Sequence, residues 1–355
     1  MYKIKKIPGR TVEIESIEHL WFGGTSYLGM QYNSQFQLLI QEGFQKYGSN
    51  WGSSRNNPLQ IDIFEIFEAK LAGFVGAEGA LTVSSGMLAG QLVVKYLEST
   101  TINCQTIYAP KVHPALWGQN YKPNALTFKD FSENINSEIN KSASENFIIC
   151  SDSISSPTIE NFYFSWIKNL PTHKPIYLVI DDSHSLGVLG ESGRGIFSEI
   201  EHNSNVILVV VSSLNKAFGI PGGVIFSKND LIFKIKNYPY FSSGSPMSPA
   251  FAYAGASAET IYQNELQKLN NNITFFEGQV QHLNGITHLE NQPTYSFGKN
   301  GIIDYLAKNK VLVPNFAYPL PSSLPVNRLV ISSLHTYDDL AKLALLIKQF
   351  DELSS

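Results

Sequence analysis

The chain has 355 residues, a formal net charge of -4 and a pI near 6.1, so it lacks the basic footprint of a nucleic-acid-binding protein. Hydrophobic residues make up 43% of it, enough for a large domain and a smaller one with a substantial core. The two cysteines form no CxxC pair, so neither a disulfide framework nor a zinc site is expected. We therefore expect a reducing, cytosolic setting. Neither a secretory signal in MYKIKKIPGR nor a membrane span is expected, because every apolar run is short.

The N-terminal part of the chain is predicted to be an arm with little regular structure, from Met1 to about Tyr47. A polar, glycine-rich loop, GSNWGSSRNNP, follows at Gly48 to Pro58. A helix is expected after this loop, because apolar residues recur along one helical face at Ile63, Phe67, Leu71 and Phe74.

Strands and helices are then predicted to alternate. Ala80 to Val83 is a short strand that breaks at Ser84-Ser85-Gly86 and continues into a helix from Met87 to Leu97. Further strands are expected at Thr106 to Tyr108, Phe147 to Cys150, Ile176 to Ile180, Val206 to Val211 and Gly223 to Ser227. This alternation favours an α/β domain with a mainly parallel sheet.

The pattern changes after Asp230. Pro249 to Leu269 is predicted to be one long helix that links two domains. The remainder is expected to hold short strands and a closing helix whose apolar stripe contains Leu340, Leu343, Ile347 and Phe350.

The stretch VVVSSLNKAFGIPGG, at Val209 to Gly223, runs from a buried strand past a lysine into a glycine turn. Lys216 lies five residues beyond the strand. Burial disfavours a charged amine, so such a lysine can lose its proton near neutral pH and act as a Schiff-base lysine. The alternative is a lysine at a strand end whose ammonium group reaches solvent.

Polar residues also follow other strands, where ligands bind in open α/β sheets. The junction at Ser85 offers free N–H groups and a helix dipole to a phosphate, or Ser85 simply caps the helix. Asp181 could hold a proton on a ring nitrogen, with His184 bonded to an adjacent oxygen, or the segment is an ordinary turn. His113 either stacks on a flat ring or packs beside Trp117.

Arg328 begins a predicted strand near the C-terminus. It could clamp a carboxylate through two parallel hydrogen bonds, or it is a surface arginine. A phosphate cradle, a ring stacker, a carboxylate for a ring nitrogen, a Schiff-base lysine and a carboxylate clamp are the parts that pyridoxal phosphate needs. The order of these residues therefore suggests a site for this cofactor.

On these residues the chain resembles the α-oxoamine synthases, within the aspartate aminotransferase fold group of pyridoxal-phosphate enzymes. The likeness covers about Trp21 to Phe350. DDSHSLGVLGESGRG, at Asp181 to Gly195, resembles the family's DEAHSxGxxGxxGRG, and SSLNKAFGIPGG resembles TxSKAxGxxGG. VSSGMLAG resembles SSGxxAN, while GSSR and FEAKLA resemble GSR and LExxLA.

The resemblance implies pyridoxal 5'-phosphate as cofactor and a role for each matching residue. The implied catalytic residues are Lys216, which carries the Schiff base, His113, which stacks on the ring, and Asp181 and His184, which contact it. The other implied cofactor contacts are Ser85, Gly86, Met87 and Ser213 at the phosphate, Ser155 near the phenolic oxygen and Ser243 at the partner subunit's phosphate. Arg328 would bind the carboxylate of the amino acid substrate.

The resemblance also implies the organisation of the protein. A large cofactor-binding domain at 48–248 would contain the mainly parallel sheet, and 249–355 would form a smaller α+β domain. The arm, 1–47, would associate with that small domain. The protein would be a homodimer with its active sites at the interface.

Some positions depart from the family's motifs. Thr25 and Ser26 replace the amide and carboxylate of SNDYLG, Gly90 replaces the asparagine of SSGxxAN, and Asn215 replaces the serine before the lysine. The resemblance makes condensation of a small amino acid with an acyl thioester, on CoA or a carrier protein, the first hypothesis. An aminotransferase and a non-catalytic protein that binds pyridoxal phosphate are the alternatives. A nicotinamide dehydrogenase is disfavoured, because no GxGxxG follows a strand.

Overall fold

The computed structural model describes residues 2–155, 159–160, 162–283, 285–317, 322 and 325–353. Its strands in chain order are β1 (Thr11–Ile14), β2 (Ile17–Trp21), β3 (Gly79–Val83), β4 (Cys104–Tyr108), β5 (Asn146–Asp152), β6 (Ile176–Asp181), β7 (Val206–Ser213), β8 (Gly223–Ser227), β9 (Ile286–His288), β10 (Thr294–Phe297), β11 (Val311–Leu312), β12 (Asn315–Ala317) and β13 (Pro325–Val330). Its α-helices are α1 (Ser34–Tyr47), α2 (Asp62–Val75), α3 (Gly86–Thr100), α4 (Phe128–Lys141), α5 (Asn229–Lys236), α6 (Pro239–Ser242), α7 (Pro249–Ser257), α8 (Glu259–Val280), α9 (Ile302–Lys308) and α10 (Tyr337–Leu353).

The chain divides into two compact units. The first unit comprises Met1–Ser34, Pro157–Asn161 and Thr260–Ser355, and the second comprises Gln35–Ser156 and Phe162–Glu259. Within the described residues, no helix combines the length and apolarity needed to cross a bilayer.

The second unit is built on a six-stranded sheet in the order β3-β8-β7-β6-β5-β4. Strands β4 to β7 run parallel, whereas β8 is antiparallel to both of its neighbours. The expected mainly parallel sheet is therefore confirmed. The parallel strands bring the carboxyl ends of β5, β6 and β7 to one edge of the sheet, where the predicted polar residues lie.

Apolar residues explain how this sheet is covered. Its central strands are continuous apolar runs because the sheet is buried, and Leu178, Val179 and Val209 are almost fully hidden from solvent. Helix α3 packs the apolar residues Leu92, Val93 and Leu97 into the same core. In α2 the predicted face is buried at Ile63, Phe67 and Leu71.

The first unit contains two small sheets. Its described strands have the orders β1-β2-β11 and β12-β13-β10-β9. Strand β2 pairs in parallel with β11, so the beginning of the chain shares a sheet with residues near its other end. The predicted closing helix is α10, in which Leu340, Leu343 and Ile347 are buried.

Two predictions about secondary structure are wrong. The predicted arm with little regular structure contains β1, β2 and the fourteen-residue α1. The predicted single helix from Pro249 to Leu269 is divided at Ala258, whose φ and ψ of -101° and 15° end α7 before α8 begins. No proline marks this break, and the nearest glycine, Gly255, lies inside the last turn of α7.

Candidate active site

Two buried aspartates mark the carboxyl edge of the sheet in the second unit. Asp152 ends β5 and Asp181 ends β6, and the two are direct register partners. They are 6% and 7% exposed. Asp181 Oδ1 accepts the backbone N–H of Ser183 at 3.0 Å. Burial, reinforced by the nearby charge of Asp181, raises the pKa of Asp152 well above its usual value, so Asp152 retains its proton more readily.

His113 lies against both aspartates. Its backbone N–H donates to Asp152 Oδ1 at 3.1 Å, and its Nδ1 is 3.6 Å from Asp181 Oδ2. The same Nδ1 accepts the backbone N–H of Ala115 at 3.1 Å, which assigns the ring proton to Nε2. Burial lowers the pKa of His113; the Asp181 charge opposes this shift and the Lys216 charge adds to it. The ring is therefore neutral at neutral pH.

Lys216 lies in the turn that follows β7. Leu214 N–H donates to the carbonyl of Gly222, and Ile220 N–H donates back to the carbonyl of Leu214, both at 3.0 Å. Gly219 has a φ of +63°, a left-handed conformation that glycine adopts without strain. The half-buried Lys216 is close enough for its charge to lower the pKa values of His113 and Asp152.

The beginning of α3 lies beside the end of β7. Ser85 is the N-cap residue, and its Oγ accepts the backbone N–H of Leu88 at 3.1 Å, as the alternative interpretation of this junction expects; the phosphate contact of Ser85 stays a prediction. A Cβ on Gly86 would lie 2.5 Å from Ser213 Cβ, so only glycine allows this approach. The N–H groups of Gly86 and Met87 belong to the first turn of α3, where they can bind an anion.

The remaining predicted site residues of the second unit lie in the segments that follow β5, β6 and α6. His184 lies in the turn after β6, Ser155 is a buried residue after β5, and Ser243 follows α6. Gly244 lies beside the first turn of α3, because a Cβ on it would be 3.7 Å from Leu88 Cδ2. Met87 is half exposed. The cofactor roles of these residues stay predictions.

Arg328 lies on β13 of the first unit. Its neighbour there is the buried Tyr27, whose pKa is raised by burial while the positive charge of Arg328 opposes that shift. Tyr27 belongs to the GTSYLG segment in which Thr25 and Ser26 depart from the family's motif.

A buried ion pair fixes the loop that contains GSSR. Arg55 donates from Nη1 and Nη2 to the two carboxylate oxygens of Glu68 at 2.8 and 3.0 Å. Glu68 Oε1 also accepts the backbone N–H of Thr82 at 2.6 Å. In the same loop, Ser54 Oγ donates to the carbonyl of Ser242 at 2.7 Å. The two motifs GSSR and FEAKLA thus meet in one contact that ties the loop to α2 and β3.

Sequence reasoning missed Asp152 as a residue of this site. Its signal resembled that of Asp181, because its carboxylate comes two residues after an apolar run that ends at Cys150. The predicted strand ended at Cys150, whereas β5 continues to Asp152. The extra residues place this carboxyl group opposite Asp181.

Comparison with known proteins identifies the family of this fold and site. Residues 18–319 match the family described as aminotransferase class I and II, and the chain belongs to this family. The chain is 25% identical to the 8-amino-7-oxononanoate synthase of Petrotoga mobilis over 95% of this chain and 89% of that protein. It is 24% identical to the serine palmitoyltransferase (SPT) of Bacteriovorax stolpii over 82% of this chain and 70% of that protein.

Solved structures support the same conclusion about the fold. A structure described as SPT with PLP superposes with a TM-score of 0.83 at 15% identity, covering 98% of this chain and 92% of that one. The predicted aminotransferase-like fold is therefore confirmed. The predicted resemblance to the α-oxoamine synthases is confirmed as well, because both named relatives are enzymes of that family.

Proposed function

We propose that the protein is a pyridoxal-phosphate-dependent acyltransferase that condenses a small amino acid with an acyl thioester. The observation that carries the proposal is the convergence of Asp181, His113, Lys216 and the first turn of α3 at the carboxyl edge of one sheet. The names of the curated relatives support an acyltransferase of this kind.

The residues present fit pyridoxal phosphate. Asp181 is a buried carboxylate that can hold a proton on a ring nitrogen, and the neutral His113 lies beside it. The close approach of Gly86 to Ser213 leaves the N–H groups of α3 and the Ser213 hydroxyl as donors for a phosphate. Lys216 supplies the amine for a covalent link to the cofactor's aldehyde.

Each of these side chains then has a defined task. Pyridoxal phosphate, when bound, supplies an electron sink that stabilises negative charge at the α-carbon of the amino acid. Asp181 holds the proton at the ring nitrogen, because a carboxylate raises the pKa of the group that it faces. Lys216 Nζ, once free, removes the α proton as general base. His113 Nε2–H is the ring position left to assist proton transfer, because Nδ1 is occupied by Ala115 N–H.

Further roles are proposed from the family resemblance. Arg328 binds the substrate carboxylate, Ser155 lies at the phenolic oxygen and His184 contacts the ring system. Ser243 reaches the phosphate of the partner subunit in a homodimer. The domain boundaries after 47 and 248 and the cytosolic setting belong to the same proposal.

The assay combines purified protein, pyridoxal phosphate and acyl thioesters with glycine, alanine or serine. Release of free thiol that depends on both substrates, and is lost in Lys216→Ala, is the expected result. Absence of thiol release with every pair, despite a cofactor spectrum that changes with the amino acid, would contradict the condensation. Conversion of the cofactor to pyridoxamine phosphate by an amino acid alone would instead identify an aminotransferase.

A further inference from the structure

Gln91 of α3 binds the turn that follows His113. Its Nε2 lies 3.2 Å from the carbonyl oxygen of Pro114, 3.0 Å from that of Ala115 and 3.0 Å from that of Trp117. One side-chain amide therefore faces three backbone acceptors of residues 113–117, which we call the His113 turn. The carbonyl of Pro114 also accepts the backbone N–H of Trp117 at 3.2 Å, so Gln91 is its second donor. A partly buried acceptor without a donor is costly, so the three carbonyls favour an amide at this position.

Gly90 allows the His113 turn to approach so closely. A Cβ on Gly90 would lie 2.5 Å from the carbonyl oxygen of Ala115 and 2.9 Å from its carbonyl carbon. Glycine inside a helix is less stable than alanine, so this position loses helix stability while it allows contact with the turn. Gly90 is also the position at which the chain departs from the family's SSGxxAN.

One peptide group connects Gln91 to the His113 ring. The carbonyl of Pro114 and the N–H of Ala115 belong to the same planar amide. Gln91 binds the oxygen of this amide, and the nitrogen donates to His113 Nδ1 at 3.1 Å. Because the amide is planar, fixing its oxygen fixes the direction of its N–H group. That direction sets the rotation and the tautomer of the imidazole.

We propose that Gln91, seated beside Gly90, is a positioning residue that holds the His113 ring through the Pro114–Ala115 amide. This inference rests on the proposed function for one point, the presence of a bound cofactor beside His113. Gln91 is not a catalytic residue, because its contacts are with the His113 turn.

A Gln91 variant changes none of the charged and titratable groups around His113. They are Asp181 at 3.6 Å from Nδ1, Asp152 at the backbone N–H, and Lys216, whose charge also acts on the ring. A change in the behaviour of the His113 ring in a Gln91 variant therefore reports the lost hydrogen bonds.

The test compares Gln91→Met with Gln267→Met in the full chain without cofactor. Gln267 is an exposed helical glutamine that bonds Asn271, so it controls for the same substitution elsewhere. Nitrogen NMR of the imidazole, assigned with His113→Gln, gives the tautomer and the pKa. Gln91→Met is expected to mix the two tautomers and to raise the pKa of His113 toward the ordinary value of about 6.5, by roughly half a unit or more. An unchanged tautomer and pKa in a folded Gln91→Met would overturn the proposal.

Gly90→Ala provides a second, independent variant. It keeps Gln91 but places a methyl group against Ala115, so it should displace the His113 turn and shift the ring in the same direction. If Gln91→Met does not fold, an unshifted ring in Gly90→Ala overturns the proposal. Cofactor binding is measured separately by visible absorption of the wild-type protein, so failure of the proposed function is distinguished from failure of this inference.

Discussion

At the scale of single residues, the pairing of Asp152 with Asp181 decides how charge is distributed in the site. Two carboxylates held as direct register partners repel each other, which disfavours the ionisation of both at once. Burial and the charge of Asp181 raise the pKa of Asp152. Asp181 Oδ1 accepts the backbone N–H of Ser183, which holds this carboxyl group in place. Asp152 therefore retains its proton more readily, and its Oδ1 accepts the backbone N–H of His113.

Asp152→Asn should bind pyridoxal phosphate about as well as the wild type, because a carboxamide is neutral and keeps an oxygen for the His113 N–H. Asp152→Leu should bind it roughly tenfold more weakly, since a lost buried hydrogen bond costs about 1–1.5 kcal/mol. Titration of cofactor absorbance measures both values. Equal losses in the two variants would show that Asp152 acts as an anion.

Site residues could be predicted from the sequence where a polar residue stands in a motif with glycines that mark a turn. Lys216 was found because a glycine turn follows it, and Asp181 because DDSHSLG is long and specific. Asp152 was missed because nothing in the sequence states where β5 ends. The contact of Gly90 with Ala115 was equally hidden, since a glycine does not reveal what approaches it.

At the scale of elements, the loop 48–58 depends on a buried ion pair. The side chains of Arg55 and Glu68 are 3% and 9% exposed, and two parallel hydrogen bonds join them. Removing one partner leaves the other charge buried and unpaired, which is much worse than losing an exposed pair.

Glu68→Gln should lower the free energy of unfolding by about 3–5 kcal/mol, because the Arg55 charge loses its partner. Glu191→Gln is the control, since the exposed Arg194–Glu191 pair should contribute only about 0–1 kcal/mol. Urea unfolding measures both variants. If Glu68→Gln shifted the urea midpoint as little as Glu191→Gln does, the proposed structural role of the Arg55–Glu68 pair would be contradicted.

Elements with a continuous apolar run were predicted best. The predicted bounds of β8 match the observed strand, and β7 extends only two residues beyond the prediction. Helix α1 was missed because it buries only Phe36 and Gly43, which is too few residues for an apolar stripe. Gly43 is needed because a Cβ there would lie 2.5 Å from the carbonyl oxygen of Ala250. The antiparallel direction of β8 could not be predicted, because an apolar run carries no information about direction.

At the scale of the whole molecule, a buried histidine links distant parts of the first unit. His335 stacks on Phe22 with ring centroids 4.2 Å apart. Its Nδ1 accepts the N–H of Ser332, and its Nε2–H donates to the carbonyl of Trp21, both at 3.0 Å. Burial lowers the pKa of His335, while the Trp21 bond and Asp339 oppose this shift.

This histidine should make stability depend on pH. Because the folded pKa lies below the unfolded value of about 6.5, the unfolded chain binds the proton first as pH falls. The stability contributed by neutral His335 is therefore complete above about pH 6.5 and is lost below it, by at most about 1.4 kcal/mol per pH unit. His335→Gln should flatten this dependence, and His202→Gln, at an exposed site, should not. Thermal melting across this range measures the effect, and equal slopes in His335→Gln and wild type would contradict it.

The fold class was accessible from the sequence because alternating strands and helices leave few arrangements. The break between α7 and α8 was not, because Ala256-Ser257-Ala258 contains only residues that a helix accepts. The acyl donor could not be predicted from the sequence either, because the replacements at Thr25, Ser26 and Gly90 do not indicate which ligand binds.

The central claim is that the amine of Lys216 bonds covalently to the aldehyde of pyridoxal phosphate. The most direct measurement is reduction of the protein–cofactor mixture with borohydride, followed by mass spectrometry of its peptides, with Lys216→Ala as control. The expected result is one stoichiometric phosphopyridoxyl label on Lys216 and none in the variant. Labelling spread over surface lysines, with Lys216 unmodified, would contradict it.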